Sequence, residues 1–325
     1  MYLWRRKVNR VNSSTLATEG IFRIDATVVN VPGVPTPPEL PGDGMNEHAF
    51  LYAGEWQNAS FEHQRMFRVV GGRVTWTYEL PEPGEFGQIN TLANGNILFA
   101  RLHGASEISP DGRRVWDYPA PAGTEIHTCR PVDADHVFLV VNGVPAAAIL
   151  VRKSDNAVIH RVEVPTSGSD PHAMFRSCAF TGDHTLLMAH MDQGEVVEYD
   201  LHGQPVWSVA AETPWGVERL TNGNALISGD HSGYVREVDG SGRTVWEYTR
   251  TDALAQGLDI HAVQQAVRLP TGNTVFANWC NDRTPAGEQT QSVQLFEVTP
   301  HHTIQWALSQ WCEPNLGPAS FIELA

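Results

Sequence analysis

One eight-residue phrase recurs through the chain, and it restricts the fold more than any other feature. "GRTVWEYT" spans residues 242–249; "GRVTWTYE" begins at Gly72, "GRRVWDYP" at Gly112 and "GQPVWSVA" at Gly203. Two looser copies are "NAVIHRVE" from Asn156 and "HTIQWALS" from His302. The fifth positions are Trp76, Trp116, His160, Trp207, Trp246 and Trp306, separated by 40, 44, 47, 39 and 60 residues. Self-similarity at this period marks a chain built from stacked supersecondary units. The alternation of Val245, Trp246 and Tyr248 marks a strand. A tryptophan at the same place in nearly every copy reads as an aromatic filling space between neighbouring units, replaced once by His160.

Each copy contains more than the octet. Ahead of it lies a strand ending in Glu and a polar turn: "EISPDG" at 107, "EYDLHG" at 198, "EVDGSG" at 237 and "EVTPHH" at 297. Earlier still is a hairpin, "LANGNILFA" from Leu92, "LTNGNALIS" from Leu220 and "LPTGNTVFA" from Leu269, with weaker versions from Val132 and Phe180. The Asn-Gly pairs predict type I′ turns, whose central residues both need positive φ. One unit is therefore four antiparallel strands, A to D, with the tryptophan on D. Six such units predict an all-β, six-bladed β-propeller.

Residues 48–80 supply only strands B, C and D of the first blade. The missing A strand is expected at "ASFIELA", residues 319–325, so that the C-terminal strand pairs with the first blade and closes the ring. The domain reading is an N-terminal extension with a Pro-rich linker over 1–45 and the propeller over 46–325. "FRIDATVVNV" in the extension is expected as one extra strand. The sixth copy carries insertions around "TRTDALAQGLDIH" and "NWCNDRTPAGEQTQ".

The recurring V-W-E-Y and L-x-N-G-N-x-L signatures resemble six-bladed propellers of the arylsulfotransferase-like and PQQ-like repeat group, over residues 48–325. The arylsulfotransferase resemblance implies sulfuryl transfer through a histidine intermediate. That family tends to place a His-Asp pair just ahead of the NGN-like turn. Here the corresponding pairs are His127-Thr128, His172-Ala173 and His261-Ala262. PQQ is not expected as cofactor: dehydrogenases of that kind typically have eight blades, and this chain has no vicinal cysteines.

The net charge of −15 argues against nucleic acid or an anionic membrane as partner, since both require a basic face. No apolar run reaches the length of a membrane span. "MYLWRRKVNRVNSS" has no apolar stretch after its basic residues, so the expectation is a cytoplasmic protein, with export as the alternative for a processed chain. Cys129, Cys178, Cys280 and Cys312 show no metal or redox spacing.

Strand order sorts the loops by face. A–B and C–D turns share one face and are polar and tight. D–A and B–C connections share the other, and chemistry-bearing residues collect there. Glu125, His127, His172, Arg176, Trp215, His261 and Gln265 arrive on the D–A side. Arg101, His103, Asn142, His190, Asp192, Asp230, His231, Asn278 and Trp279 arrive from the ends of B strands. Relative to the residue opening each hairpin motif, His172 and His261 both lie eight before it, while Gln88, Arg176 and Gln265 lie four before it.

Equivalent positions on different blades converge on one funnel, the usual setting of a ligand site. His127, His172 and His261 are the candidate catalytic residues, able to act as acid, base or nucleophile near neutral pH. Arg101 and Arg176 would neutralise an anion, and Trp215 and Trp279 would stack on a ring. His190, Asp230, His231, Gln265 and Asn278 complete the candidate substrate-binding set. A divalent metal on His127, His172 and His261 is an alternative use of the imidazoles. The expected partner is an anionic or sugar-containing small molecule, with a lyase or hydrolase favoured. The competing reading is a non-catalytic ligand- or protein-binding propeller.

Overall fold

The computed structural model describes residues 39–55, 63–181, 184–229, 233–279 and 293–325. The expected extra strand within residues 22–31 lies outside these, as does most of the second insertion of the sixth copy. Three strands begin the ring: β1 (Phe50–Gly54), β2 (Arg65–Val70) and β3 (Arg73–Glu79). The second blade is β4 (Ile89–Thr91), β5 (Ile97–Ala100), β6 (Gly104–Ile108) and β7 (Arg114–Pro119). The third is β8 (Glu125–Pro131), β9 (His136–Asn142), β10 (Ala146–Arg152) and β11 (Ala157–Val164). The fourth is β12 (Cys178–Phe180), β13 (Leu186–His190), β14 (Glu195–Tyr199) and β15 (Pro205–Ala210).

In the fifth blade β16 (Pro214–Arg219), β17 (Ala225–Gly229), β18 (Tyr234–Val238) and β19 (Thr244–Thr249) are followed by the short helix α1 (Arg250–Leu254). That helix occupies the first insertion, and Thr249 and Asp252 close its N-terminus as a capping box. The sixth blade is β20 (Ala262–Arg268), β21 (Thr274–Trp279), β22 (Leu295–Val298) and β23 (Ile304–Leu308). Finally β24 (Ala319–Leu324) pairs antiparallel with β1, Phe50 opposite Leu324 and Gly54 opposite Ala319. Six sheets of four antiparallel strands result, and the first is assembled from both ends of the described chain.

Three contacts clamp the closing strand to its neighbours. Ile322 N donates to Gln265 Oε1 of the sixth blade (2.8 Å), Ser320 Oγ to the Phe86 carbonyl (3.0 Å), and Thr91 N to Glu323 Oε2 (2.8 Å). The core lies between blades. Phe86, Phe99 and Ile97 of the second blade pack on Leu51, Met66 and Phe321 of the first, all buried.

The repeated tryptophan does more than fill space. Its indole N–H donates across to the next unit: Trp76 to the Pro110 carbonyl (2.9 Å), Trp116 to Asn156 Oδ1 (2.7 Å), Trp207 to the Gly240 carbonyl (3.1 Å) and Trp246 to the Pro300 carbonyl (3.1 Å). His160 fits the same place because an imidazole N–H reaches the Leu201 carbonyl at 2.9 Å. Trp306 is the exception. It donates to the Gly44 carbonyl (2.7 Å), within a segment that covers the last blade and leaves this tryptophan fully buried.

The hairpin turns differ from the type I′ expectation. Gly95 N donates to the Leu92 carbonyl (2.8 Å) and Leu92 N to the Asn96 carbonyl (2.8 Å). Only Gly95, at φ 84°, takes positive φ; Asn94 does not. These are three-residue loops, a type I turn followed by a left-handed glycine. The glycine is thus required at the closing position of the turn, and the asparagine before it caps the loop by accepting from Asn96 N (3.0 Å).

Candidate active site on the D–A and B–C face

Local strand irregularity aims the first side chains. Pairing of β8 with β9 slips between Ile126 and Thr128, leaving His127 on a β-bulge. Slips in the fifth and sixth blades put Trp215 and Gln264 at the equivalent place. All three fall five residues before the residue opening the hairpin motif. A bulge redirects one side chain out of the pleat, here towards the axis or the adjacent blade. In the second blade that position is Gly87, and a Cβ there would lie 2.2 Å from the His127 carbonyl oxygen. Gly87→Ala must therefore push β8 away. It is expected to cost about 1–3 kcal/mol in a urea titration; a change within error would show that the two blades can separate freely at this point.

Glu125, His127 and His172 meet at one oxygen. Glu125 Oε2 lies 2.9 Å from His127 Nε2 and 2.9 Å from His172 Nδ1, and the rings sit edge to face at 5.4 Å between centroids. On its other side His127 accepts at Nδ1 from Arg176 Nη1 (3.2 Å). Its proton is therefore on Nε2, directed at Glu125. His172 sits in a short 3₁₀ turn, Pro171–Ala173, whose start is capped by the Asp170 side chain. Its Nδ1–H also points at Glu125, which makes Nε2 the basic nitrogen.

Burial, and then the positive charge of Arg176, push the His127 pKa down, so this imidazole is neutral near pH 7. Burial acts to raise the Glu125 pKa, but hydrogen bonds and charge from the two histidines outweigh it and hold this carboxyl well below its ordinary range.

Two further carboxyls lie behind this group. Glu85 accepts a short hydrogen bond from Arg176 Nη1, and its Oε2 is 3.6 Å from His172 Nε2. Glu55, at the end of β1, accepts a short bond from Trp279 Nε1 and shares a side-chain hydrogen bond with Glu85. Both are buried, at 3% and 5% exposure, and a carboxyl–carboxyl hydrogen bond needs one proton. Burial and then the neighbouring Glu85 raise the Glu55 pKa well above its ordinary value. Glu85 is also pushed up by burial, but Arg176 and the two histidines bring it below the usual range, so the proton belongs to Glu55.

The Arg176 guanidinium lies over the Trp215 ring (5.3 Å to the centroid), and Trp215 and Trp279 face each other at 6.1 Å. Glu55, Glu85, the Glu125–His127 pair, the His172–Arg176 pair, Trp215 and Trp279 come from the first to the sixth blade in turn. Every blade contributes to one ring of contacts.

A raised folded pKa means that Glu55 takes up a proton on folding. Its stabilising contribution is complete below the unfolded value of about 4.3 and is lost as pH rises through the folded value. Between the two values the loss approaches about 1.4 kcal/mol per pH unit, and above the folded value it levels off. Glu55→Gln keeps an acceptor for Trp279 and a donor for Glu85 without titrating. As pH rises above the ordinary carboxyl range of about 4–5, the melting temperature of the native protein is expected to fall more steeply than that of the variant. Parallel profiles would refute the protonation of Glu55.

The other residues singled out in the sequence are placed as follows. His261 does not join His127 and His172. Its backbone N–H donates to Asn278 Oδ1 (2.7 Å), and its ring faces Asp259 at 3.7 Å. A metal set of three histidines is therefore replaced by Glu125, His127 and His172, whose ligand atoms all lie within 4.8 Å of one another.

Arg101 turns its guanidinium outward to Asp117 on β7 (2.9 and 3.1 Å) and braces Ser106. Its bidentate face is thus occupied within the protein. Gln265 serves ring closure, as described above, and Asn278 donates to the Val293 carbonyl (2.6 Å). His190 is buried against Phe175 and bonded to Tyr199 Oη (3.0 Å), with burial pushing its pKa down to about 4. Asp230 and His231 lie outside the described residues. Sequence reasoning passed over Glu55 and Glu85. Glu85 carried a signal, since it and Glu125 both lie seven residues before the opening of their hairpin motifs. Glu55 had no counterpart to mark it.

Fold and topology define the chain as a six-bladed β-propeller. No protein-family model and no curated protein matches it. Among solved structures it is similar to a protein of unknown function from Bacteroides caccae, with 25% identity, TM-score 0.73, and coverage of 85% of this chain and 98% of that one. It is also similar in fold to a catalytically inactive virginiamycin B lyase from Staphylococcus aureus solved with quinupristin (12% identity, TM-score 0.53, coverage 80% and 89%). A streptogramin B lyase aligns with 13% identity, TM-score 0.53, and coverage of 85% and 98%. The likeness to these lyases is one of fold.

Proposed function

We propose that the chain is an enzyme that cleaves an acidic or glycosidic small molecule, by elimination or hydrolysis, on the D–A and B–C face. The observation carrying this reading is the Glu125 carboxylate gripping two imidazoles beside a buried Arg176–Glu85 pair. A carboxylate on Nδ1–H fixes the tautomer of His172 and supports the positive charge it gains, the arrangement that suits a general base. His172 is the more exposed imidazole, with 38% of its side chain accessible against 1% for His127. His127 has both ring nitrogens engaged, which suits it to positioning and disfavours it as a sulfuryl acceptor. Sulfuryl transfer of the arylsulfotransferase kind would therefore fall to His172. The half-buried Trp279 offers an aromatic surface for a sugar or aryl ring, backed by Trp215, which is itself buried beneath the Arg176 guanidinium.

Charge counting sharpens the substrate. With Glu55 protonated and His127 neutral, the Glu85 and Glu125 carboxylates outnumber the Arg176 guanidinium two to one, so the group offers no surplus positive charge to an anion. Without further cations this favours a neutral glycosidic substrate.

A second reading follows from the same atoms: Glu125, His127 and His172 form a carboxylate and two-imidazole set suited to a divalent cation. Such an ion would supply Lewis acidity and the positive charge that an acidic substrate requires. Metal analysis of the purified protein separates the readings. Stoichiometric metal that is lost in His127→Ala and in His172→Ala supports the metal-assisted reaction. Activity in chelator-treated protein supports the metal-free base. The reaction type is read from product masses, which sum to the substrate for elimination and exceed it by one water for hydrolysis. If screening of glycosidic and acidic substrates yields no turnover dependent on His172, a ligand-binding propeller is the better description.

A further inference from the structure

The opposite end of the axis holds a second, separate well. All six inner strands or the residues just ahead of them surround a cavity of about 210 Å³, which opens into a vestibule of about 1020 Å³ at the A–B turns of the third to fifth blades. By volume the well would hold roughly seven waters, too large for a bare ion and suited to a few heavy atoms.

Its two charged walls are unusual. Arg130 donates through Nε to the Cys178 carbonyl (3.4 Å), and the Gln88 amide oxygen, in the orientation that satisfies its neighbours, lies 3.2 and 3.0 Å from Arg130 Nε and Nη2. Among the described residues no carboxylate pairs with this guanidinium. Glu218, half-buried, lines both the well and the vestibule and likewise has no ion-pair or hydrogen-bond partner among the described residues. The third charged group, Glu323, is held at Oε2 by Thr91 N and Oγ1. Asn90 and Gln265 add polar edges, and Phe180 and Trp207 line the vestibule.

A half-buried guanidinium and a half-buried carboxyl that share a cavity without forming an ion pair attract each other only across it, and each lacks a hydrogen-bonded counter-charge. An inorganic anion would satisfy Arg130 but face Glu218 and Glu323. A metal cation would satisfy the carboxylates and repel Arg130. A molecule bearing both charges on adjacent atoms meets both requirements, and its overall neutrality adds no net charge to the well. We propose that this well binds a free α-amino acid with an apolar side chain, its carboxylate on Arg130, its ammonium on Glu218, and its side chain directed to Phe180 and Trp207. A peptide terminus carries one of these charges without the other beside it, so the free amino acid is the ligand class. The site is distinct from the proposed active site and stands whether or not that reading holds.

The test is calorimetric titration of the full chain with L-phenylalanine, 3-phenylpropanoate and 2-phenylethylamine. The amino acid is expected to bind one to one, and each analogue lacking one charge to bind at least about tenfold more weakly. Arg130→Gln should weaken L-phenylalanine by a similar factor and leave 2-phenylethylamine unchanged. Glu218→Gln, nearly isosteric and expected to fold, should do the converse with 3-phenylpropanoate. His172→Ala should leave all three isotherms as they are. Absence of saturable binding by L-phenylalanine, equal affinity for the three probes, or full affinity in folded Glu218→Gln would each overturn the assignment.

Discussion

Arg176→Met is expected to remove about 3–5 kcal/mol of stability, a large share of what holds a domain folded. The guanidinium is 8% exposed and faces the carboxylate of Glu85, itself 5% exposed, beside a second buried carboxyl on Glu55. Methionine fills a similar volume but leaves Glu85 without its counter-charge, and the cost is the desolvation of that uncompensated anion. The control is the double variant with Glu85→Gln. Removing the stranded charge should recover most of the loss, giving a coupling energy of a few kcal/mol in a double-mutant cycle. Urea unfolding followed by circular dichroism reads all three variants. A loss below about 1 kcal/mol for Arg176→Met would mean that water or another cation screens Glu85.

The second large effect concerns His172. On a substrate identified by screening, His172→Ala is expected to lower turnover by about 10²–10⁴-fold, the usual contribution of a general base. Stability should change by only about 1 kcal/mol, the worth of one hydrogen bond to a partly exposed group. Glu125→Gln is expected to act in the same direction, because an amide cannot fix the imidazole tautomer or support its charge. An unchanged rate in His172→Ala, with the fold intact, would remove this histidine from the reaction. A variant that loses activity only by unfolding would show a structural role instead.

The architecture was readable because its cause is periodic. The six octets, the NGN-like hairpins and the incomplete first unit together indicated the blade number and the closing strand, since each copy solves the same packing problem. Turn geometry was less readable. Asn-Gly is compatible with both a two-residue I′ loop and a three-residue loop with a left-handed glycine, and only the pairing of Leu92 with Asn96 separates them.

The site was legible by face and only partly by residue. The residues of this face do converge: His127, His172, Arg176, Trp215 and Trp279 come together from four blades, at different offsets in their repeats. Register does not say whether a side chain turns inward or is used by its own blade. Arg101 is claimed by Asp117, and Gln265 by the backbone of the closing strand. His261 shares its offset with His172, yet it lies beside Asp259. The bulges that aim His127 and Trp215 have no local sequence mark and emerge only from the slip in strand pairing. Glu55 follows the one inner hairpin made from two distant pieces of chain, where no repeat could reveal it.

That same junction has a consequence for how the protein is made. β1 leaves the ribosome early, but its partner β24 is not synthesised until about 265 residues later, a wait on the order of tens of seconds at ordinary elongation rates. Throughout that interval the Phe50–Gly54 edge has unsatisfied backbone groups and apolar side chains that only the last strand can cover. Blades two to six can each form as their own four strands emerge, whereas the first cannot. The nascent chain is therefore vulnerable at β1, and a chaperone or a slow stretch of translation would matter most while Phe50–Gly54 waits for its partner.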